Sequence, residues 1–317
     1  MKILKYALLT LGGVAILAGA ALAYVAATFD PNQYKPRIVQ AVKEKTQRTL
    51  ALDGDIALSF WPSIGARIGK ASLSARAGDK EFAAVEEAHV SLKLMPLLAR
   101  QAVVDTVRIK GLRANLVKTR DGKTNVDDLA GPPTTEELAA KGAEPPFKVD
   151  VAGVEIQDAT IHYADQAAGA KYSLSKLDLK TGRIAPGVPT RVELSVHAQG
   201  DKPKFDLQAA LTTRLTFDPG ASLALDDLAL DAKGAAADLR NLALKATGSA
   251  MVNVKSGEFA ATKLNVALTG MSGKEALDIK VDVPRLSLAG DKASGDNVAI
   301  VARITGPAAP AAALGGR

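Results

Sequence analysis

The stretch Lys204-Phe-Asp-Leu-Gln-Ala-Ala-Leu-Thr-Thr-Arg-Leu-Thr-Phe-Asp218 decides how the chain must be read. Phe205, Leu207, Ala209, Leu211, Leu215 and Phe217 alternate with Lys204, Asp206, Gln208, Thr212, Arg214 and Asp218. Successive side chains of a strand point to opposite faces, so this period of two predicts a strand with one apolar and one wet face.

The same period recurs on both sides. Val192, Leu194, Val196 and Ala198 oppose Glu193, Ser195 and His197. Leu223 and Leu225, then Leu228 and Leu230, flank Asp226-Asp227. Leu264, Val266 and Leu268 follow. Leu277, Ile279, Val281 and Val283 then oppose Asp278, Lys280 and Asp282, and Val298, Ile300, Ala302 and Ile304 come last. Upstream, Ile56, Leu58 and Phe60, then Val90, Leu92 and Leu94, then Val103, Asp105, Val107 and Ile109, then Leu112, Ala114 and Leu116 read as half-buried hairpins. Asp121-Gly122 reads as a tight turn between strands. The expected fold is mostly β: a long antiparallel, quasi-repetitive sheet.

Two segments interrupt this pattern. Gly131-Pro132-Pro133 and Pro145-Pro146 bracket residues 131–146, read as a linker with a short helix capped by Thr134 and Glu137. The divisions expected are therefore 1–29, 30–130, 131–146, 147–305 and a disordered Ala/Pro/Gly tail, 306–317.

The N-terminus differs in kind. Lys2 and Lys5 precede an uncharged run from Tyr6 to Phe29, long enough to span a hydrocarbon core of about 30 Å. It is read as a retained transmembrane helix. A cleaved signal peptide, with Ala21-Leu22-Ala23 as its processing site, is the alternative. Lys35 to Arg48 then shows helical spacing, with Tyr34, Ile38, Ala41 and Val42 on one face and Lys43, Glu44 and Lys45 largely away from it. This helix packs over the end of the sheet, lies on lipid headgroups, or does both. In the second case Tyr34, Lys35, Arg37, Ile38, Val42 and Lys43 form the interfacial set.

Composition narrows function by exclusion. There is no cysteine among the 317 residues, hence no disulfide and no thiolate chemistry. The net charge of +6 is spread along the chain, without the basic stripe and interleaved aromatics of a nucleic-acid binder. His89, His162 and His197 are far apart in sequence, and no nucleophile elbow, P-loop, dinucleotide fingerprint or zinc-protease motif occurs. Residues 121–128 lack the glycine and closing glutamate of a calcium loop. No enzyme activity, cofactor, metal site or nucleic-acid partner is expected.

A sheet with one apolar face must cover it, and the second half encodes almost no helix. A second sheet, closure into a barrel, or an apolar ligand remain. Acyl chains are a candidate ligand, since burying about 16 methylenes is worth on the order of 12 kcal/mol. Candidate groove residues are Val192, Leu194, Val196, Phe205, Leu207, Leu211, Leu215, Phe217, Leu277, Ile279 and Val281.

Five stretches carry a resemblance: Asp30-Pro-Asn-Gln-Tyr-Lys-Pro-Arg-Ile, Thr46-Gln-Arg-Thr-Leu, Asp53-Gly-Asp-Ile-Ala-Leu-Ser-Phe-Trp-Pro, Phe82-Ala-Ala-Val-Glu-Glu-Ala-His-Val and Asp121-Gly-Lys-Thr-Asn-Val-Asp-Asp-Leu. In this order, over residues 1–130, the chain resembles the AsmA family. Gln47 stands where that family often has glycine, and Val126 where it often has tryptophan. The resemblance implies a single-pass anchor in the bacterial inner membrane, a periplasmic body, and kinship with TamB-like and bridge-like lipid-transfer proteins. It further implies strands curved into an apolar groove that moves phospholipid towards the outer membrane. Implied partners are phospholipids, the inner membrane, and outer-membrane assembly or lipid-transport components. A periplasmic scaffold for outer-membrane protein assembly, without lipid transfer, is the alternative.

Overall fold

A computed structural model describes residues 29–59, 63–76, 78–93, 103–130, 150–290, 292–306 and 309–316. The expected membrane segment Tyr6–Phe29, Phe29 excepted, and the 131–146 linker lie outside these residues. Among the described residues no helix is long and apolar enough to cross a membrane.

Among the described residues, nineteen strands form one sheet. They are β1 (Leu50–Leu52), β2 (Ile56–Ser59), β3 (Ser63–Ile68), β4 (Ala71–Ser74), β5 (Glu81–Val85), β6 (Glu87–Lys93), β7 (Val104–Lys110), β8 (Arg113–Lys118), β9 (Val151–Asp165) and β10 (Ala170–Thr181). There follow β11 (Thr190–Asp201), β12 (Lys204–Asp218), β13 (Ser222–Ala236), β14 (Leu239–Asn253), β15 (Glu258–Ser272), β16 (Glu275–Ala289), β17 (Lys292–Gly295), β18 (Ala299–Gly306) and β19 (Ala309–Gly316).

The short strands pair in a way their number conceals. β3 lies beside β2 and β6, while β4 lies beside β1 and β5. β7 and β8 flank successive halves of β9. β17 and β18 likewise share one edge of β16. Each such couple is therefore one long rung broken in the middle, and the rungs follow one another in chain order.

All ladders are antiparallel except those of β7 and β8 with β9, which are parallel. The expectation of a purely antiparallel sheet is corrected at this seam. A parallel neighbour needs a crossover that carries the chain back to the starting side, and it falls between Lys118 and Val151. Asp121-Gly122 does form a tight turn, with Gly122 at φ +84 and its N–H donating to the Thr119 carbonyl. It does not join two ladder strands, however. The chain makes a single bridge, Lys118 to Thr124, and enters the helical turn α2 (Asp127–Ala130).

The breaks align across the sheet. Gly54 and Gly69 cross so closely that a Cβ on Gly54 would lie 2.1 Å from the Lys70 nitrogen. The line continues through Glu86 and Gly111 to Asp158 and Lys176, both with left-handed backbone inside unbroken strands. Bulges bend a strand and add twist, so this line is a crease through the first ten strands. A second runs through Asp227, Gly248 and Lys263 in β13, β14 and β15.

α1 (Lys35–Thr46) follows a single 3-10 turn, Pro31–Tyr34, whose Asp30 carboxylate accepts from the Asn32 backbone N–H at 2.9 Å. Asn32 then clips the outer edge of the first rung. Its Oδ1 accepts from the Ile56 N–H at 2.9 Å, and its Nδ2 donates to the Ile56 carbonyl at 3.3 Å. A side-chain amide thus occupies edge groups that could otherwise template another strand. At the far edge, residues 309–316 pair with β18, where a disordered tail was expected. The open ladder groups of β18 template these eight residues, and that pairing overrides their low strand propensity.

Candidate functional site

Cross-strand partners share a face, so the registers trace which side chains line up across the sheet. One row begins Ile56, Ile68, Ala88, Ile109, Ile156 and Leu179. It continues Leu194, Leu211, Leu230, Ala246, Val266, Val281 and Ile300. Every member is apolar. At about 4.8 Å per strand the row is roughly 58 Å long. Parallel rows lie beside it, including Val196, Ala209, Ala232, Leu244, Leu268 and Ile279.

All eleven residues named from the sequence as groove candidates fall on this face, through the ladders of β11, β12 and β16. The registers also bring Ile156 and Leu179, which the alternating pattern did not single out, into the same row. Their apolar character was the one advance signal, because the crease had shifted the alternation.

Ten of the thirteen residues in the row are only half-buried; Ile56 and Ala246 are buried and Ile300 is exposed. On the other face Lys204, Asp206, Gln208 and Arg214 are exposed. Among the described residues there is neither a second sheet over the apolar face nor a ladder joining β19 to β1 or β2.

One margin of the face carries aromatic rings. Tyr163 stacks with Tyr172, and Tyr172 with Phe205, each pair 6.1 Å between centroids. Gly200 stands between Tyr172 and Phe205 in the ladders, and the Phe205 ring lies over it. Beside the rings is an open cleft of about 490 Å³ lined by Leu116, Tyr163, Tyr172, Gly200 and Lys171.

The wet face is laced with ion pairs. Arg108 meets Glu155 at 3.3 Å, and Lys233 and Lys245 share Asp231. His197 Nε2 sits 2.6 Å from Asp206 Oδ1. The Gln199 amide, and then His197, hold the Asp206 carboxyl below its ordinary range. At the opposite margin a bidentate bond from Arg183 does the same to Asp150. Among the described residues no three His, Asp or Glu side chains are grouped so as to hold a metal ion.

The first rung is held by a residue sequence reasoning passed over. Arg48 is 1% exposed. Its guanidinium lies 4.3 Å from the Phe82 ring centroid and donates to the carbonyls of Ser74 at 3.1 Å and Asn125 at 2.6 Å. Three of the resembling stretches thus meet at one cation, and a fourth meets a fifth through Asn32 and Ile56.

The six helix residues divide. Lys35 and Val42 are part-covered, as are Val39 and Thr46. Tyr34, Arg37 and Ile38 are exposed on the outward side, and Lys43 is exposed between the two. The face expected from Tyr34, Ile38, Ala41 and Val42 is therefore split, since only Val42 turns inward. Arg48 is not helical: α1 ends at Thr46, and Gln47 takes a left-handed conformation, φ +57.

Sequence comparison covers this N-terminal region and extends past it. Protein AsmA of Escherichia coli (strain K12) is 22% identical over 154 residues, which are 49% of this chain and 25% of that protein. The match therefore spans about a quarter of the relative's length. The sequence model of the AsmA family matches residues 1–288, so the clipped first rung, the crease and the repeated strands up to β16 all fall within it, and the chain belongs to the AsmA family.

Proposed function

We propose that this protein carries phospholipid acyl chains along the apolar face of its sheet, anchored in the bacterial inner membrane by Tyr6–Phe29 with its body in the periplasm. The observation that carries the reading is the uninterrupted apolar row from Ile56 to Ile300, half-covered along nearly all its length. A folded core would bury such side chains, whereas a surface for a mobile apolar ligand leaves them partly open. Alanine and valine keep the floor shallow, and the aromatic margin supplies rings with one apolar and one wet end.

The sheet curves, in this reading, into a trough that supports lipid transport to, or homeostasis of, the outer membrane, as family membership suggests. The role is non-enzymatic and needs no cofactor. A row of roughly 58 Å would act with further protein rather than as a complete bridge. The second reading, a scaffold for outer-membrane protein assembly without lipid transfer, would dock its partners through ladder groups that β19 leaves unpaired among the described residues. Mass spectrometry of lipid co-purified with the detergent-extracted full chain separates the two. Phospholipid beyond that of a detergent-matched membrane protein is expected, and its absence overturns the lipid-carrying reading.

A further inference from the structure

The outward side of α1 is apolar and aromatic where the chain has just left its longest uncharged run. Phe29, Tyr34 and Ile38 are 41%, 44% and 39% exposed. The rings of Phe29 and Tyr34 stack 5.6 Å apart, and the Arg37 guanidinium lies 5.9 Å from the Tyr34 centroid. Tyr34, Arg37, Ile38, Ala41 and Lys45 recur at helical spacing on this side, roughly a third of a turn around the helix from the covered side of Lys35, Val39, Val42 and Thr46. Packing against the sheet accounts for the second set and leaves the first uncovered among the described residues.

We infer that this outward side seats in the headgroup layer of a lipid bilayer, the one that receives Tyr6–Thr28. Two observations choose that occupant over a protein partner. The uncharged run ends at Phe29, so a bilayer holding it must lie within a few residues of Tyr34. The patch also pairs rings and an aliphatic side chain with Arg37 and Lys45, the combination suited to the interface between acyl chains and anionic headgroups. The inference rests on reading Tyr6–Phe29 as a membrane segment. It adds an orientation to the proposed function. Asn32 fixes the turn before α1 to Ile56, and Arg48 fixes the segment after it to β5, so the Ile56 end of the apolar row lies nearest the bilayer.

The chain has no cysteine, so single probes are clean. Full-length I38C and Q40C variants are labelled with an environment-sensitive fluorophore and reconstituted in vesicles of phosphatidylcholine and phosphatidylglycerol, roughly three to one. Ile38 belongs to the outward apolar side, and Gln40, which donates to Glu44 at 2.9 Å, points the other way. The label at 38 should emit at shorter wavelength and be quenched by nitroxide-bearing lipid roughly threefold more than the label at 40. Water-like emission at both positions overturns the seating, and so does equal quenching at both. Alkaline carbonate extraction of the same vesicles separates the failures. Release of the chain overturns the membrane-segment reading together with the seating, whereas retention with two water-like labels overturns the seating alone.

Discussion

Leu225 and Leu228 face the same side of the sheet although two residues separate them, because Asp227 between them takes a left-handed conformation, φ +51. Strict alternation would send them to opposite faces. The extra residue resets the count: Leu225 stands opposite Leu215, and Leu230 opposite Leu211, on one apolar face. The Thr213 hydroxyl donates to the Asp226 carbonyl at 3.0 Å, satisfying a group at the bulge.

Substitution at Asp227 should follow backbone preference rather than charge. Asp227→Gly is expected to change stability by less than about 0.5 kcal/mol, since glycine adopts positive φ freely and the ion pair lost with Arg214 is exposed. Asp227→Val should cost about 2 kcal/mol, because a branched side chain is strained there. Thermal melts by circular dichroism check both, and equal melting of the two variants would count against the bulge.

Gln47 offers the opposite test. It closes α1 with left-handed backbone, a position that favours glycine. Gln47→Gly should stabilise by about 0.5 kcal/mol, net of the Arg76 hydrogen bond to its side chain. Denaturant unfolding reads this as a higher midpoint at unchanged slope.

Arg48→Lys should be far from conservative. One ammonium cannot span the Ser74 and Asn125 carbonyls and also stack on Phe82 as a planar guanidinium does. A loss of about 2 kcal/mol is expected, rising to about 4 for Arg48→Ala, which also leaves buried acceptors unpaired. Limited proteolysis near α1 should accelerate in both.

Much of this was legible in sequence and some was not, for physical reasons. β12 reads directly, since it carries no bulge and Phe205 to Phe217 keep one parity. β13 shows its leucines but hides their common face, because the backbone sign at Asp227 is not a property of residue type. The parallel seam before Val151 is invisible to local periodicity, which knows strands but not their neighbours. The burial of Arg48 is hidden in sequence, because it depends on carbonyls 26 and 77 residues away. On α1 the apolar positions show in the spacing, but which of them meet the sheet depends on the Asn32 clip.

Gly200 and Phe205 should be coupled. A Cβ on Gly200 would fall 2.4 Å from the Phe205 ring. Gly200→Ala is expected to cost about 2 kcal/mol in the wild type and much less beside Phe205→Ala, where the ring is gone. A double-mutant cycle on melting free energies tests this; additive costs would mean that the ring does not lie over the glycine.

The proposed lipid path is tested within one strand. Leu211 lies in the apolar row and is half-buried, while Gln208, three residues earlier, is exposed on the wet face. Gln208→Glu places a carboxylate in water and should alter stability by less than about 0.5 kcal/mol. Leu211→Glu places the same carboxylate among acyl chains, where it must remain ionised at a cost of several kcal/mol or bind a proton with a raised pKa. Packing loss alone would lower the melting temperature, so stability does not decide the matter. Lipid content does. On a half-open face the charge reaches water once lipid leaves, and Leu211→Glu should stay folded while its co-purified phospholipid falls severalfold. Gln208→Glu should keep the wild-type load. If the folded Leu211→Glu protein carries as much lipid as wild type, acyl chains do not lie on this row. If it unfolds instead, Leu211 was sealed in a protein core, and the half-covered row is not where lipid travels.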